Sequence, residues 1–241
     1  MSDILYIVIP AYNEEAVIEQ VIREWYQVIE QHNGKGTSRL VVIDDGSSDR
    51  TYAMIKRMAE DMPLLEPVTK ENSGHGPTVL FGYQYAVKTG NADYIFQTDS
   101  DGQTAASDFE TFWDLRKSYD MVIGQRIDRR DGMQRIFVTR MLKMIVNFIF
   151  REKIPDANTP FRLMKADRLK DVLESVPENF YLANVLISII YIKKNYKVKF
   201  VPIMFRERQG GTNSLNMIKI FKIGMAAIKD FLYLRNKIKH L

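Results

Sequence analysis

The residues best suited to take part in catalysis or metal binding are two carboxylates, Asp99 and Asp101, which follow an apolar stretch. Carboxylates at positions i and i+2 that leave a strand can converge on one hard cation. Mg²⁺ and Mn²⁺ prefer such oxygen ligands and commonly bridge to phosphates. Gln103 follows closely and can add or orient a ligand. Taken alone, the pattern is equally typical of an acidic turn, so its meaning depends on the neighbouring segments.

A second acidic cluster runs from Asp44 to Asp49 and contains Gly46, which allows a tight turn. A carboxylate at the end of a strand can accept hydrogen bonds from a base or a ribose. Asp44 and Asp45 are therefore candidate nucleoside ligands. Asp49 is suited to capping the helix that follows, whether or not the cluster binds a ligand.

The segment Pro10–Glu15 is the third polar cluster. Pro10 ends a strand, and the ring of Tyr12 can stack on or flank a base. Asn13 is suited to capping the next helix and Glu15 to its first turn. Helix capping does not explain Tyr12 and Glu14, so these two residues are candidates for ligand binding.

The fourth cluster, Lys70–Gly76, is a Gly-rich turn that leads into a helix. Such a turn presents backbone N–H groups to an anion, which makes Lys70 and Gly74 candidates for contact with the nucleotide. His75 is interpreted as a loop histidine rather than a catalyst.

Alternating strands and helices position these four clusters. The predicted strands are Ile4–Ile9, Leu40–Ile43, Leu64–Val68, Tyr94–Gln97 and Met121–Ile123. The predicted helices are Glu14–Ile29, Arg50–Asp61, Pro77–Lys88 and Phe109–Lys117. This α/β alternation predicts a mostly parallel sheet with helices on both faces, and ligands bind such sheets at the carboxyl ends of the strands. All four polar clusters follow a predicted strand.

The second half of the chain has a different pattern, with a basic stretch at 126–135 that predicts a loop. The segments predicted to be helical are Ile136–Phe150, Tyr181–Lys194 and Asn216–Leu234, and those predicted to be extended are Asn158–Met164 and Lys197–Phe205. Ile136–Phe150 and Asn216–Leu234 are basic and amphipathic. Such helices can lie in a bilayer interface, but their apolar faces can equally pack on the sheet or on a second subunit.

Composition narrows the function classes. The 241 residues are 46% hydrophobic and 27% charged, as in an ordinary globular protein, and the absence of cysteine excludes disulfides and thiolate metal sites. Residues 1–124 carry 10 Lys/Arg and 20 Asp/Glu, whereas residues 125–241 carry 24 and 10. The acidic half suits a metal and a nucleotide, and the basic half suits phosphate or an anionic membrane.

Five motifs together resemble the family 2 glycosyltransferases of the GT-A fold, and among them the polyprenyl-phosphate glycosyltransferases. They are VIPAYNEE, DDGSSD, FQTDSDGQ, DANTPFRLMK and VPIMFRERQGGTNS. The resemblance implies a catalytic domain at 1–212, with a nucleotide-binding half at 1–124 and an acceptor-binding half at 125–212. A basic amphipathic helix at 213–241 completes the expected organisation.

The resemblance also implies roles for individual residues. Those expected to bind a nucleotide-diphosphate sugar are Pro10, Tyr12, Glu14, Asp44, Asp45, Lys70, Gly74 and Asp99. Those expected to hold Mg²⁺ or Mn²⁺ are Asp99, Asp101 and Gln103. Those expected to contact the acceptor or a phosphate are Arg126, Arg129, Arg130, Arg135, Arg162 and Arg208. The catalytic set is Asp99, Asp101, Arg126 and Asp156.

The acceptor determines whether a protein base is needed. The resemblance implies inversion at the anomeric carbon by direct displacement, with a polyprenyl phosphate as the expected acceptor. An anionic phosphate oxygen requires only positioning and charge neutralisation, which arginines provide. A sugar hydroxyl requires a carboxylate base, for which Asp156 is the candidate. A role for Asp156 in bracing the PFR segment explains the residue equally well.

Location and partners follow from the same pattern. No window of about 18 uninterrupted apolar residues is present, so we expect no transmembrane helix, and we expect no signal peptide. The expected location is the cytoplasm, at the membrane face, through direct contact or a membrane-protein partner. The sequence leaves a homo-oligomer open, and we expect no nucleic-acid partner.

Three other functions compete with this interpretation. A soluble glycosyltransferase that extends a saccharide would keep the donor half and change the acceptor. A sugar nucleotidyltransferase would share a similar sheet, but its first strand is followed by a Gly-rich loop with arginine, where this chain has Pro10–Glu15. A nucleic-acid-binding protein would use the basic half, but no recognition motif supports it.

Overall fold

The computed structural model describes residues 3–89, 92–126, 144–152, 154–206, 230–232 and 234–235. Its strands are β1 (Leu5–Ala11), β2 (Arg39–Asp44), β3 (Leu65–Thr69), β4 (Tyr94–Gln97), β5 (Met121–Arg126), β6 (Arg162–Lys165) and β7 (Val198–Ile203). Its helices are α1 (Ile18–Gln31), α2 (Thr51–Ala59), α3 (His75–Thr89), α4 (Phe109–Leu115), α5 (144–150), α6 (Ala166–Leu173) and α7 (Ala183–Lys193). Two short 3₁₀ turns span Gly34–Gly36 and Ala106–Asp108.

One seven-stranded sheet in the order β3-β2-β1-β4-β6-β5-β7 forms the centre of the molecule. Every pairing is parallel except those of β6, which runs antiparallel to both of its neighbours. The prediction of a mostly parallel α/β sheet is thus confirmed. Because β6 runs against the others, the residues that precede it lie at the same edge as the carboxyl ends of the parallel strands.

Burial on both faces explains the uninterrupted apolar run of β1, in which every residue is buried. Tyr6 and Val8 belong to the core on the face that α3, α6 and α7 cover. Leu5, Ile7 and Ile9 belong to the core on the opposite face, beneath α1, α2 and α4. A strand with one solvated face would instead alternate apolar and polar residues.

The first helix starts later than the sequence predicts. The predicted start is Glu14, but α1 begins at Ile18 and its amino-terminal residue Val17 makes no side-chain cap. Asn13 has a φ of +54° and its side chain accepts a hydrogen bond from the backbone N–H of Ser48 at 2.9 Å. The prediction that Asn13 caps this helix is therefore wrong, because the side chain joins two loops instead.

Asp49 acts at the start of α2, as its position predicts. Its carboxylate accepts a hydrogen bond from the backbone N–H of Thr51 at 2.9 Å and another from the backbone N–H of Glu15 at 3.2 Å. Burial raises the pKa of Asp49, but the hydrogen bonds from Thr51 and Glu15 lower it, and the net shift is downward. The Asp49 side chain thus stabilises both the first turn of α2 and the neighbouring loop that contains Glu15.

The second half departs from the predicted elements near residue 160. The extended segment was predicted at Asn158–Met164, whereas β6 spans Arg162–Lys165 and inserts between β4 and β5. The helix α6, Ala166–Leu173, has no counterpart in the predicted elements. The helix is short and follows β6 directly, without a glycine or proline between them, so the sequence gives little indication of where it begins.

Arg162 lies in the core, not at a phosphate site. Its side chain is fully buried and donates to the carbonyl oxygens of Ala157, Thr159 and Asn184 and to the hydroxyl of Ser188, at 2.6–3.3 Å. The guanidinium N–H groups are therefore already bonded to buried carbonyl and hydroxyl oxygens. The prediction that Arg162 contacts a phosphate is therefore wrong in this structure, and its role is to brace the loop before β6.

The described parts of the two amphipathic segments have one buried and one exposed face. On α5, Val146, Ile149 and Phe150 are buried, whereas Phe148 is 86% exposed. Residues 230–232 and 234–235 are helical, and Phe231 packs edge-on against Phe150, with ring centroids 5.6 Å apart. These segments therefore pack on the main core through one face. Residues 127–143 and 207–229 lie outside the described residues.

Within the described ranges, no helix combines the length and apolar character needed to cross a membrane. The division of the chain at residue 212 stays a prediction, because few residues after it are described.

We predict that Arg162→Leu destabilises the fold on the order of 3 kcal/mol, because several buried carbonyl oxygens lose their donors. Arg23→Leu is the matched control, since Arg23 lies at the surface in an ion pair with Glu19 on α1 and should cost under about 1 kcal/mol. Urea unfolding measures both. Equal losses in the two variants would contradict the bracing role.

Candidate functional site

A cavity of about 490 Å³ lies where β1, β2 and β4 end at their carboxyl edge. The residues that line it come from all four predicted polar clusters, with Thr78 of α3 in addition. They are Pro10, Ala11, Tyr12, Glu14, Asp45, Asn72, Gly74, His75, Thr78, Asp99, Ser100 and Asp101. The structure thus brings together segments that are up to about 90 residues apart in sequence, as the strand-end rule requires.

Asp99 and Asp101 both line this cavity, in the turn after β4. The Asp101 carboxylate also accepts the backbone N–H of Gln103 at 3.1 Å, which keeps the turn tight. Gln103 does not line the cavity. Its side chain is buried and its amide nitrogen donates to the carbonyl oxygen of Arg206 at 3.1 Å, so it ties this turn to the chain after β7.

The two carboxylates fit a hard divalent cation. Within the described residues, no group of three or more His, Cys, Asp or Glu side chains is arranged to enclose a metal ion. Mg²⁺ and Mn²⁺ do not require such a cage, because they are commonly bound by one or two carboxylates plus substrate phosphates and water. An open cavity with two carboxylates on its wall meets that requirement.

His75 contacts the first of these carboxylates. Its Nε2 lies 3.0 Å from Oδ1 of Asp99. Desolvation lowers the pKa of His75, but Asp99, Asp101 and Asp45 raise it, and the net shift is upward. The sequence interpretation left His75 out of the site. The glycines on both sides of it were the available signal, because they indicate a closely packed loop.

Asp45 holds the Gly-rich loop against the cavity. Its carboxylate accepts hydrogen bonds from the backbone N–H groups of Ser73 at 3.0 Å and Gly74 at 2.9 Å, and from the ammonium group of Lys70. Burial raises the pKa of Asp45, but the hydrogen bonds from Lys70, Thr78 and the loop lower it, and the net shift is downward. Asp45 therefore remains a carboxylate.

Asp44 and Lys70 lie beside the cavity but do not line it. The buried Asp44 carboxylate accepts the Thr69 hydroxyl at 2.9 Å and the backbone N–H of Ser47 at 3.3 Å. The Lys70 ammonium also donates to the Ser73 hydroxyl at 2.6 Å. Both side chains are engaged in loop structure, and of the two neighbouring aspartates expected to bind the nucleotide sugar, only Asp45 lines the cavity.

Pro10, Tyr12 and Glu14, which we expect to bind the nucleotide sugar, line the cavity. The Tyr12 ring is 49% exposed, so one of its faces is available to a ligand. Glu14 is buried, and its backbone N–H donates to the Thr51 hydroxyl at 2.9 Å. An exposed aromatic ring can flank a base, and a buried carboxylate at a strand end can accept hydrogen bonds from a base or a ribose.

Arg126 and Asp156 form a second polar centre, at the carboxyl end of β5. Nε of Arg126 lies 2.8 Å from one carboxylate oxygen of Asp156, and Nη2 lies 2.9 Å from the other. The two side chains are 12% and 6% exposed, and the guanidinium lies over the ring of Phe205. The structure therefore pairs these two predicted residues with each other. The other predicted arginines, Arg129, Arg130, Arg135 and Arg208, lie outside the described residues.

Two known proteins with similar sequences have names that refer to a lipid phosphate or a lipid carrier. The UDP-N-acetylglucosamine–dolichyl-phosphate N-acetylglucosaminyltransferase of Methanococcus voltae is 26% identical over 92% of this chain and 95% of that enzyme. The prophage bactoprenol glucosyl transferase homolog of Escherichia coli K12 is 26% identical over 93% of this chain and 71% of that protein.

Solved structures confirm the fold. Glucosyl-3-phosphoglycerate synthase from Mycobacterium tuberculosis, in complex with Mn²⁺, UDP-glucose and phosphoglyceric acid, superposes with a TM-score of 0.70 and 17% sequence identity. The match covers 97% of this chain and 80% of that enzyme. The expected GT-A fold is therefore present.

The model of the family described as glycosyl transferase family 2 matches residues 6–173, which include the whole cavity wall and the Arg126–Asp156 pair. The chain is a glycosyltransferase, and it belongs to glycosyl transferase family 2.

Proposed function

We propose that this enzyme transfers a sugar, with inversion and with the help of a divalent cation, from a nucleotide-diphosphate sugar to a polyprenyl phosphate at a membrane surface. The observation that carries the proposal is the single cavity that is lined by Asp99, Asp101 and the half-exposed ring of Tyr12. A nucleotide-diphosphate sugar has an aromatic base at one end and a charged diphosphate next to the sugar, which matches these groups.

The donor proposal has support from similar proteins. The structural neighbour binds UDP-glucose with Mn²⁺, and the Methanococcus voltae relative is named for UDP-N-acetylglucosamine. In this chain, Tyr12 would flank the base, and Asp45 would hold the loop from Ser73 to His75 beside the phosphates. These contacts position the donor before any bond changes.

The cation would be Mg²⁺ or Mn²⁺, held by Asp99 and Asp101 and by oxygens of the diphosphate. When bound, it supplies a positive charge that stabilises the departing diphosphate. Gln103 then contributes indirectly, since its amide fixes the turn that carries both carboxylates.

The Arg126–Asp156 pair favours an acceptor that is already anionic. A carboxylate that accepts two hydrogen bonds from a guanidinium is stabilised in its charged form, which makes it a weak proton acceptor. Asp156 is thus poorly suited to activate a sugar hydroxyl. Arg126 has a second guanidinium edge, and a phosphate binds such an edge well. We assign Asp156 to positioning Arg126.

The proposed step balances without a protein base. A phosphate oxygen of the acceptor forms a bond to the anomeric carbon, while the bond from that carbon to the donor diphosphate breaks. The nucleoside diphosphate leaves with both bonding electrons. The names of the relatives support this acceptor class, since dolichyl phosphate and bactoprenol are polyprenyl carriers.

Contact with a membrane is proposed through α5 and the segments beside it. Met144 and Phe148 lie one helical turn apart on α5 and are both largely exposed. The basic character of residues 125–241 suits an anionic, cytoplasmic membrane face. The expected membrane-protein partner and the homo-oligomer stay predictions.

The acceptor class is tested by incubating the full chain with Mn²⁺, undecaprenyl phosphate and a panel of radiolabelled UDP and GDP sugars. We expect label to enter the lipid fraction with one of these donors. Free saccharides in place of the lipid should give no product. Label in a saccharide, with none in the lipid, would refute the acceptor and leave a saccharide-extending glycosyltransferase.

We predict that Asp99→Asn and Asp101→Asn each lower kcat/KM for sugar transfer at least about 100-fold, because each removes an anionic ligand of the cation. Asp114→Asn is the matched control, since Asp114 is exposed on α4 and does not line the cavity. Circular dichroism verifies that all three variants are folded. Full activity of the wild type in EDTA would contradict a metal-dependent reaction.

We predict that Phe148→Ser lowers binding to anionic liposomes roughly tenfold, because about 1.5 kcal/mol of apolar transfer is lost. The side chain is 86% exposed, so the urea midpoint should not change. Phe148→Leu, which keeps an apolar group, is the matched control. Co-sedimentation gives the readout, and equal binding by the wild type and Phe148→Ser would exclude this face as the contact.

A further inference from the structure

His75 is a polar cavity residue to which the proposed transfer assigns no role. It lies at the first position of α3, and its Nε2 is 3.0 Å from Oδ1 of Asp99. Because the ring lines the same cavity as Asp99 and Asp101, it lies where a ligand would meet both carboxylates. The other described histidine, His32, contacts Glu110 instead, and Glu110 does not line the cavity.

The loop that carries His75 is fixed from two sides. Before it, Gly74 has a φ of +90°, which side chains with a Cβ rarely adopt, and its N–H donates to Asp45 at 2.9 Å. After it, a Cβ on Gly76 would lie 2.1 Å from the carbonyl oxygen of Tyr181. Only glycine fits at either position. The backbone on both sides of His75 is therefore fixed, and it places the imidazole within hydrogen-bonding distance of Asp99.

We infer that His75 is a positioning residue, which donates a hydrogen bond from Nε2 to Oδ1 of Asp99 and so orients this carboxylate toward the cation. The inference rests on the proposed metal-dependent transfer. A carboxylate ligand that is held in place by a second hydrogen-bonding group loses less side-chain entropy when the cation binds. The other carboxylate oxygen of Asp99 would remain available to the cation.

This role predicts that His75 affects metal binding more than turnover. In His75→Ala, Asp99 keeps its charge but loses its orienting donor, so the dissociation constant for Mn²⁺ should rise about tenfold or more. Saturating Mn²⁺ should restore most of kcat. In His75→Gln, the side-chain amide can still donate a hydrogen bond, so most of the affinity for Mn²⁺ should be retained.

The experiment measures Mn²⁺ binding directly, by electron paramagnetic resonance of the free ion in the presence of UDP. Wild type, His75→Ala, His75→Gln and the control His32→Gln are compared, and thermal melting confirms that each is folded. Activity at varied Mn²⁺ gives kcat and the half-saturating metal concentration in parallel. We expect weaker binding in His75→Ala, partial rescue in His75→Gln and no change in His32→Gln.

Several results would overturn the inference. These are unchanged Mn²⁺ binding in His75→Ala, a loss of kcat that saturating metal does not restore, or a raised KM for the donor with unaltered metal affinity. Direct coordination of Mn²⁺ by an imidazole nitrogen, seen as ¹⁴N modulation of the electron spin echo, would also overturn the inference, because His75 would then be a metal ligand itself. A wild type that binds no Mn²⁺ with UDP would refute the metal site itself, which separates that failure from a failure of His75.

Discussion

The arrangement of the site depends on the carboxylate of Asp45. It lies at the end of β2, where it collects two backbone N–H groups and one ammonium group from the Gly-rich loop. Without these bonds, the loop would keep fewer contacts beside the cavity, such as the hydrogen bond from the Asn72 amide to the carbonyl oxygen of Asp45 and the packing of Gly76 against Tyr181. Through this anchor, one side chain sets the position of Gly74 and of the imidazole that meets Asp99. The wall of the cavity therefore depends on hydrogen bonds between loops as much as on the sheet beneath them.

Two buried polar centres organise the loop before β6 in a comparable way. Arg162 fixes the backbone from Ala157 to Thr159, and the preceding residue, Asp156, holds the guanidinium of Arg126. A buried arginine is costly to desolvate unless its donors are satisfied, and backbone carbonyls satisfy them here. The two arginines consequently have different surroundings: Arg162 shapes a loop in the core, and Arg126 lies at the carboxyl end of β5, where we propose that the acceptor phosphate binds.

Much of the first half could be predicted from the sequence, because buried parallel strands leave long apolar runs and the polar clusters follow each run directly. The cavity residues Tyr12, Asp45, Asp99 and Asp101 were found in this way. Arg162 was assigned wrongly, because a motif gives the residue type and not the direction of the side chain. His75 was passed over, since a histidine in a loop becomes informative only when the carboxylate opposite it is known.

The antiparallel strand β6 has a consequence for the size of the substrate site. Since β6 lies between β4 and β5, the strand that ends near Asp99 and the strand that ends at Arg126 are not neighbours. Two strand spacings place them about 10 Å apart across the sheet. In the proposed displacement, the leaving and the incoming phosphate would lie on opposite sides of one anomeric carbon. The inserted strand thus leaves room for one phosphate beside each of the two polar centres, with the anomeric carbon between them.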